Sequence, residues 1–263
     1  MQRRTLLFVL ILSSFVTICF AQKQVVLDNY FNNEFNPQTG KPFHYLWNDT
    51  EMSGFSEFGK LFVNRGAEIS TLKEKPTEAN LRKADVFIIV DPDTKSETVN
   101  PHFMDISTAN VIAKWVQKGG TLLLLTNDYS HAELDSFNIL SAKFGMKFGK
   151  EMLHPEKSEA GKPRNFNSCA STIFPNHPLF KGIHKIFLKE IAPIVCTKKA
   201  RPVLEENGQV IIAEAKIGKG YVLAVGDPWL YNEYIDHLML PADFQNLTAA
   251  KNLVGFLLNN KHK

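Results

Sequence analysis

Three short, almost wholly apolar runs, Val86–Val90, Thr121–Leu125 and Tyr221–Val225, constrain this chain more than anything else in it. Each has strand length and lacks the alternation of a half-exposed strand, so each demands cover on both faces. Two weaker strands, Gln24–Leu27 and Glu68–Leu72, precede them. Between the strands lie segments of helical spacing. Phe55, Phe58, Leu61 and Phe62 recur at that spacing, after Ser53 or Ser56 as a cap and before Arg65-Gly66 as a stop. Pro76–Lys83 predicts a short helix that starts at Pro76 or Thr77. Asp105–Lys118 carries Ile106, Ala109, Ile112, Ala113, Trp115 and Val116 and closes at Gly119-Gly120, and Ala132–Phe144 is stopped by Gly145. Strand and helix alternate, which calls for a parallel sheet with right-handed crossovers and predicts a doubly wound α/β domain.

From about residue 146 to 214 the rhythm changes to short β segments, read as a β-rich excursion before the last strand or as an antiparallel extension of the same sheet. It contains Ile183–Leu188, Ile191–Cys196, and a hairpin of Arg201–Leu204 with Val210–Ala213 around Glu206-Asn207-Gly208. Glu151–Asn167, with its charges, Gly161 and Pro163, predicts a mobile surface loop. Ala242–Asn260 predicts a final helix with Leu253, Val254, Phe256 and Leu257 turned inward.

The first 21 residues read as a secretory signal peptide: Arg3 and Arg4, an apolar stretch from Leu6 to Phe20, and small residues where cleavage would leave Gln22 first. Val16–Cys19 only faintly resembles a lipoprotein box, because Ile18 is large, and the apolar stretch is short for a membrane span. The expected setting is therefore the periplasm or outside the cell, as one α/β domain over residues 22–263 with no membrane span after signal removal. Losing Arg3 and Arg4 and no acidic residue lowers the formal charge from +3 to +1, too little to point to nucleic acid as a partner. Cys169 and Cys196 remain, either as one disulfide or as two free thiols, and neither has metal-ligand spacing.

Each strand exit is polar. Asp28 with Asn29 and Tyr30, Asp91 with Asp93, Asn127 with Asp128, and Asp227 with Trp229, Tyr231, Asn232 and Glu233 all follow predicted strands, and Trp47 lies in an aromatic and polar loop after the first. Asx residues after strands also make ordinary turns. In an open α/β sheet, however, these positions share the carboxyl edge, where ligands bind. Together they predict an acidic and aromatic cleft for an oligosaccharide or polysaccharide, since hydrogen-bonding groups and a flat ring grip a sugar. A hard cation held by carboxylates is the other fit, although no metal or cofactor is assigned. No GxSxG, GxGxxG or GxxxxGK[ST] motif occurs, and the histidines lack i, i+4 pairing.

The strings VVLDNYFNNE, ADVFIIVDPDT, KGGTLLLLTND and VGDPWLYNEY resemble the domain appended to Bacteroidetes unsaturated rhamnogalacturonyl hydrolases, over nearly the whole chain after the leader. The resemblance implies a class I glutamine amidotransferase-like, flavodoxin-like fold and a role in polysaccharide utilisation, on rhamnogalacturonan or ulvan-type glycans. The helical-barrel catalytic domain of those hydrolases is absent from this sequence. The amidotransferase cysteine is also missing, because the corresponding exit reads Thr126-Asn127-Asp128-Tyr129.

Three functions remain in view. The chain is a non-catalytic glycan-binding accessory module, a glycoside hydrolase using two of Asp28, Asp91, Asp93, Asp227 and Glu233, or a structural partner of a separate glycoside hydrolase. The second requires two carboxylates at a separation of roughly 5–9 Å.

Overall fold

The computed structural model describes residues 22–157, 164–197, 199–228, 230–235 and 240–259, with Glu233 described in its backbone alone. The leader, the acylation alternative at Cys19, and Trp229 lie outside the described residues. In chain order the elements are β1 (Gln24–Asp28), α1 (Ser56–Val63), β2 (Glu68–Leu72), α2 (Glu78–Leu81), β3 (Val86–Val90), α3 (Ile106–Gln117), β4 (Thr121–Leu125) and α4 (Leu134–Ser141). There follow β5 (Met146–Phe148), β6 (Ala170–Ser171), β7 (Ile186–Phe187), β8 (Ile194–Cys196), β9 (Arg201–Glu206), β10 (Gln209–Ile217), β11 (Gly220–Val225) and α5 (Asn246–Leu258).

The main sheet runs β2-β1-β3-β4-β11-β10-β8-β5, with β9 also paired to β10. The ladders from β2 through β11 are parallel, and those beyond β11 are antiparallel. The chain is thus a mixed α/β protein whose large, mostly parallel core sheet continues into an antiparallel extension. The β-rich excursion supplies that extension, and β6 and β7 form a separate two-stranded sheet. β10 runs on to Ile217 and folds straight back into β11, a tight hairpin that the predicted strand ending at Ala213 did not foresee.

Both faces of the sheet are covered, which is why β3 is buried along its whole length. Val86, Ile88 and Val90 join one apolar cluster with Phe55, Phe58 and Phe62 around α1 and with Leu253, Val254 and Leu257 of α5. Phe87 and Ile89 join the other, with Leu81 of α2, Ile112 and Val116 of α3, and Phe137 and Leu140 of α4. Phe256, expected inward, is only partly buried at the edge of the first cluster.

Side chains cap the starts of α2 and α3. Thr77 forms a capping box with Asn80, and Asp105 accepts the Thr108 N–H at 2.8 Å. The cap expected from Ser53 or Ser56 is not made: α1 begins after Phe55 without a side-chain cap, and Ser56 is its first helical residue. Cys169 and Cys196 are free thiols. Cys169 donates to the His154 carbonyl at 3.3 Å, while Cys196 sits in β8 opposite Met146.

At the start of the predicted mobile loop Leu153 exchanges backbone hydrogen bonds with Ile191, both at 2.9 Å, and residues 158–163 of that loop lie outside the described residues. No helix among the described residues is long and apolar enough to cross a membrane.

Candidate functional site

The polar exits of β1, β3, β4 and β11 do meet, and side chains bond one exit to the next. Asp28 Oδ2 accepts the Phe31 N–H at 2.9 Å and folds the chain back after β1. From that turn, Asn32 Nδ2 donates to the Asp91 carbonyl at 2.9 Å, and the Asn33 N–H donates to Asp93 Oδ2 at 2.8 Å. Asp91 Oδ1 accepts the Asn127 N–H at 3.1 Å, which joins the β3 exit to the β4 exit. The Asp128 N–H donates to the Glu190 carbonyl at 3.0 Å, and the Lys189 N–H donates to Asp227 Oδ2 at 2.9 Å. One network therefore crosses the carboxyl edge of the parallel sheet.

Most of the predicted acids and amides are buried at that edge. Asp28, Asp93, Asp128, Asp227 and Asn232 are at most 2% exposed, and Asn29, Asp91, Asn127 and Tyr231 are buried with them. Burial penalises negative charge. It raises the Asp28 carboxyl to about 7 and the Asp93 carboxyl to about 8, despite the backbone N–H groups that each accepts. Asp91 is raised well above the ordinary range by the same burial and by the charges of Glu97 and Glu34. Tyr45, from the loop after β1, is raised by burial and by Asp91, and it hydrogen-bonds Asp91.

Backbone strain gathers at the same edge. His44, Tyr45, Asp91, His154 and Glu190 all have positive φ, between 44° and 63°. Non-glycine residues hold that conformation only where their surroundings impose it. Asp91 occupies it at the turn out of β3, where its carboxylate is held by Asn127.

Other predicted ligands sit apart from the acids. Trp47 packs over α1 against Phe55, Phe58 and Phe62 and donates Nε1–H to the Ser70 carbonyl at 2.9 Å. Tyr231 stacks on Phe58 with ring centres 5.4 Å apart, so its ring serves the core. Tyr30 stacks flat on His102, with centres 3.9 Å apart.

Gly226, the residue after β11, lies against a neighbouring segment. A Cβ there would lie 2.0 Å from the Ala192 carbonyl oxygen, so glycine is required by close approach of a neighbouring chain segment.

Several residues that the sequence reading passed over complete the edge. His131 Nδ1 lies 2.6 Å from Asp128 Oδ2, and Glu190 stands close by, with one ligating atom from each of the three within 4.8 Å of the others. Glu190 also pairs with buried Lys189 at 3.0 Å, and His131, against the cost of its burial, is held toward its charged form by Asp128 and Glu190. The Asp-x-x-His spacing from Asp128 to His131 was the available signal.

Above this layer, just past β3 and β4, a hollow of about 610 Å³ is lined by Thr94, Lys95, Ser96, Phe103, Tyr129, Ser130, Ala132, Glu133 and Asp135. Phe103 and Tyr129 are 42% and 41% exposed, unlike the buried Tyr231 ring. Lys150 Nζ lies 4.0 Å from the centre of the Tyr129 ring and 2.8 Å from Asp135, and Lys95 stands 6.0 Å from the Phe103 ring centre. The hollow thus combines aromatic faces, hydroxyls, carboxylates and ammonium groups.

No protein-family model matches the chain, and neither does any curated protein sequence. Solved structures do resemble it. The N-terminal domain of mmIFT52 superposes with a TM-score of 0.65 at 14% identity, covering 89% of this chain and 97% of that one. Cytoplasmic protein STM1381 from Salmonella typhimurium LT2 gives 0.58 at 12% identity, over 90% and 99% of the two chains. A putative GMP synthase subunit from Thermoplasma acidophilum gives 0.51 at 8% identity, over 92% and 98%. At such identities the likeness is one of fold alone: a mixed α/β domain with a large, mostly parallel sheet.

Proposed function

We propose that this is a secreted, non-catalytic accessory module of polysaccharide utilisation that binds uronic-acid and rhamnose-containing oligosaccharides at the carboxyl edge of its sheet. The observation that carries the reading is the hollow past β3 and β4, in which the exposed Phe103 and Tyr129 rings stand beside the hydroxyls of Thr94, Ser96 and Ser130 and the Lys95 ammonium group, with Lys150 Nζ over the Tyr129 ring. Rings offer faces to sugar C–H groups, hydroxyls and carboxylates hydrogen-bond sugar hydroxyls, and lysines attract a uronate. In this reading the buried acids hold the rim in place, and the amidotransferase-like, flavodoxin-like scaffold has lost its cysteine chemistry. A separate glycoside hydrolase is the natural partner for such a module.

A hydrolase reading has one observation in its favour, the raised pKa values of Asp28 and Asp93, since a general acid must hold its proton near neutral pH. Against it, both carboxyls are at most 2% exposed and cannot flank a scissile bond as they stand.

The deciding experiment incubates the protein with saturated and unsaturated uronic-acid oligosaccharides and follows heat of binding and product masses in the same samples. Saturable heat without new masses supports the binding module. New masses that disappear in Asp93→Asn would favour the hydrolase, and neither signal would sink both readings in favour of a structural role.

A further inference from the structure

We propose that the loops after β1 and β3 form a binding site for a hard divalent cation, with side-chain oxygens supplied by Asp28, Asn32 and Asp93. In the order β2-β1-β3-β4 the chain leaves β1 toward one side of the sheet and leaves β3 toward the other, so their exits part at the point where α/β sheets hold ligands. This proposal is independent of the glycan reading.

Three facts point to a cation there. First, Asp28, Asn32 and Asp93 are 2%, 2% and 1% exposed, and each leaves one oxygen, its Oδ1, shielded from solvent and accepting no hydrogen bond from a described residue. Asn33 Oδ1 is a fourth such atom in the same turn. Second, the rest of each side chain is already tied. Asp28 Oδ2 takes the Phe31 N–H, Asn32 Nδ2 gives to the Asp91 carbonyl, and Asp93 Oδ2 takes the Asn33 N–H, while the Asp93 N–H returns to the Phe31 carbonyl at 2.9 Å. These bonds knit the two loops together, and what they leave over consists of acceptors. Third, neither Asp28 nor Asp93 pairs with a lysine, arginine or histidine among the described residues. Buried polar atoms normally find partners, and buried carboxylates normally find a positive charge.

A hard cation supplies both at once. The donor set is all oxygen, two carboxylates and one or two amide carbonyls, which suits Ca²⁺ or Mg²⁺ and lacks the nitrogen or sulfur that zinc prefers. Such an ion would lock the two exits against each other.

The test titrates CaCl₂ and MgCl₂ separately into chelator-treated protein by calorimetry, with thermal melts in parallel. We expect saturable binding of one ion per chain with at least one of the two salts, and a rise in Tm with the same salt. Asp28→Asn and Asp93→Asn preserve shape and should each weaken binding by about tenfold or more, because ligand charge sets affinity at such sites. Glu205→Gln, on the exposed side of β9, should leave it unchanged. Absence of both heat and Tm rise with either salt overturns the proposal, and means that protons satisfy these oxygens. Binding that survives both Asn variants also overturns it, as does binding lost in His131→Ala, which would place the ion at Asp128, His131 and Glu190. Should the Asn variants fail to fold, a Tm rise that persists in His131→Ala supports the site and one that vanishes there rejects it.

Discussion

Asp91 Oδ1 accepts the main-chain N–H of Asn127 at 3.1 Å, so a strained residue at the end of β3 fixes the turn at the end of β4. The same carboxyl is hydrogen-bonded by Tyr45, which reaches it from the loop after β1. One buried side chain thereby couples three connections, two of which line the hollow.

Asp91→Ala should destabilise the protein by about 1–3 kcal/mol, because a buried N–H loses its acceptor. Asp91→Asn keeps an acceptor and should cost less. Urea unfolding of the two variants checks the order, and equal midpoints would contradict the coupling.

Gly226→Ala places a methyl group 2.0 Å from the Ala192 carbonyl oxygen, and backbone atoms cannot swing aside as a flexible side chain does. The expected loss is about 1–3 kcal/mol or more, read as a lowered Tm. An unchanged Tm would mean that the strand-to-loop approach is looser than described.

His154 Nε2 meets Glu206 at 3.0 Å and Nδ1 faces the Leu188 carbonyl at 3.1 Å, so both ring nitrogens address acceptors. Its pKa is raised above 6.5, first by the Glu206 hydrogen bond, which outweighs burial, and then by Glu206 and Asp227 as charges. A histidine whose folded pKa is raised contributes stability that is fully present below the unfolded value and is lost as pH rises through the folded one. Unfolding midpoints should therefore fall, on this account, from about pH 6 upward. His154→Gln should flatten that part of the profile, and an unaltered slope would remove His154 from it.

Tyr129→Ala and Phe103→Ala should each weaken oligosaccharide binding by about 0.5–1.5 kcal/mol or more, since both rings are exposed and neither supports the core. Lys150→Ala should weaken uronate-bearing ligands selectively. Equal loss for neutral and acidic oligosaccharides would show that the lysine does not read the carboxylate.

The parallel strands and their helices were legible because apolar runs such as Val86–Val90 and the Asp105 cap of α3 are local signals that the tertiary structure had no reason to override. The excursion was less so. Ile183–Leu188 reads as a strand, yet only Ile186 and Phe187 pair, and the Asn246 side chain takes the place of a neighbouring strand. Its Oδ1 accepts the Phe187 N–H at 2.8 Å and its Nδ2 donates to the Phe187 carbonyl at 3.0 Å. No pattern within residues 183–188 encodes a partner about sixty residues away.

The sequence by itself determined the alternation of strands and helices and the gathering of Asp28, Asp91, Asn127 and Asp227 at one edge, since every parallel strand points its carboxyl end the same way. Tertiary structure alone decided that these groups lie beneath the surface while Phe103 and Tyr129 form it. Burial depends on which distant loops close over an edge. Here Tyr45 comes from before α1 and Lys189 and Glu190 from the excursion, and each arrives through packing that a local run of residues does not specify.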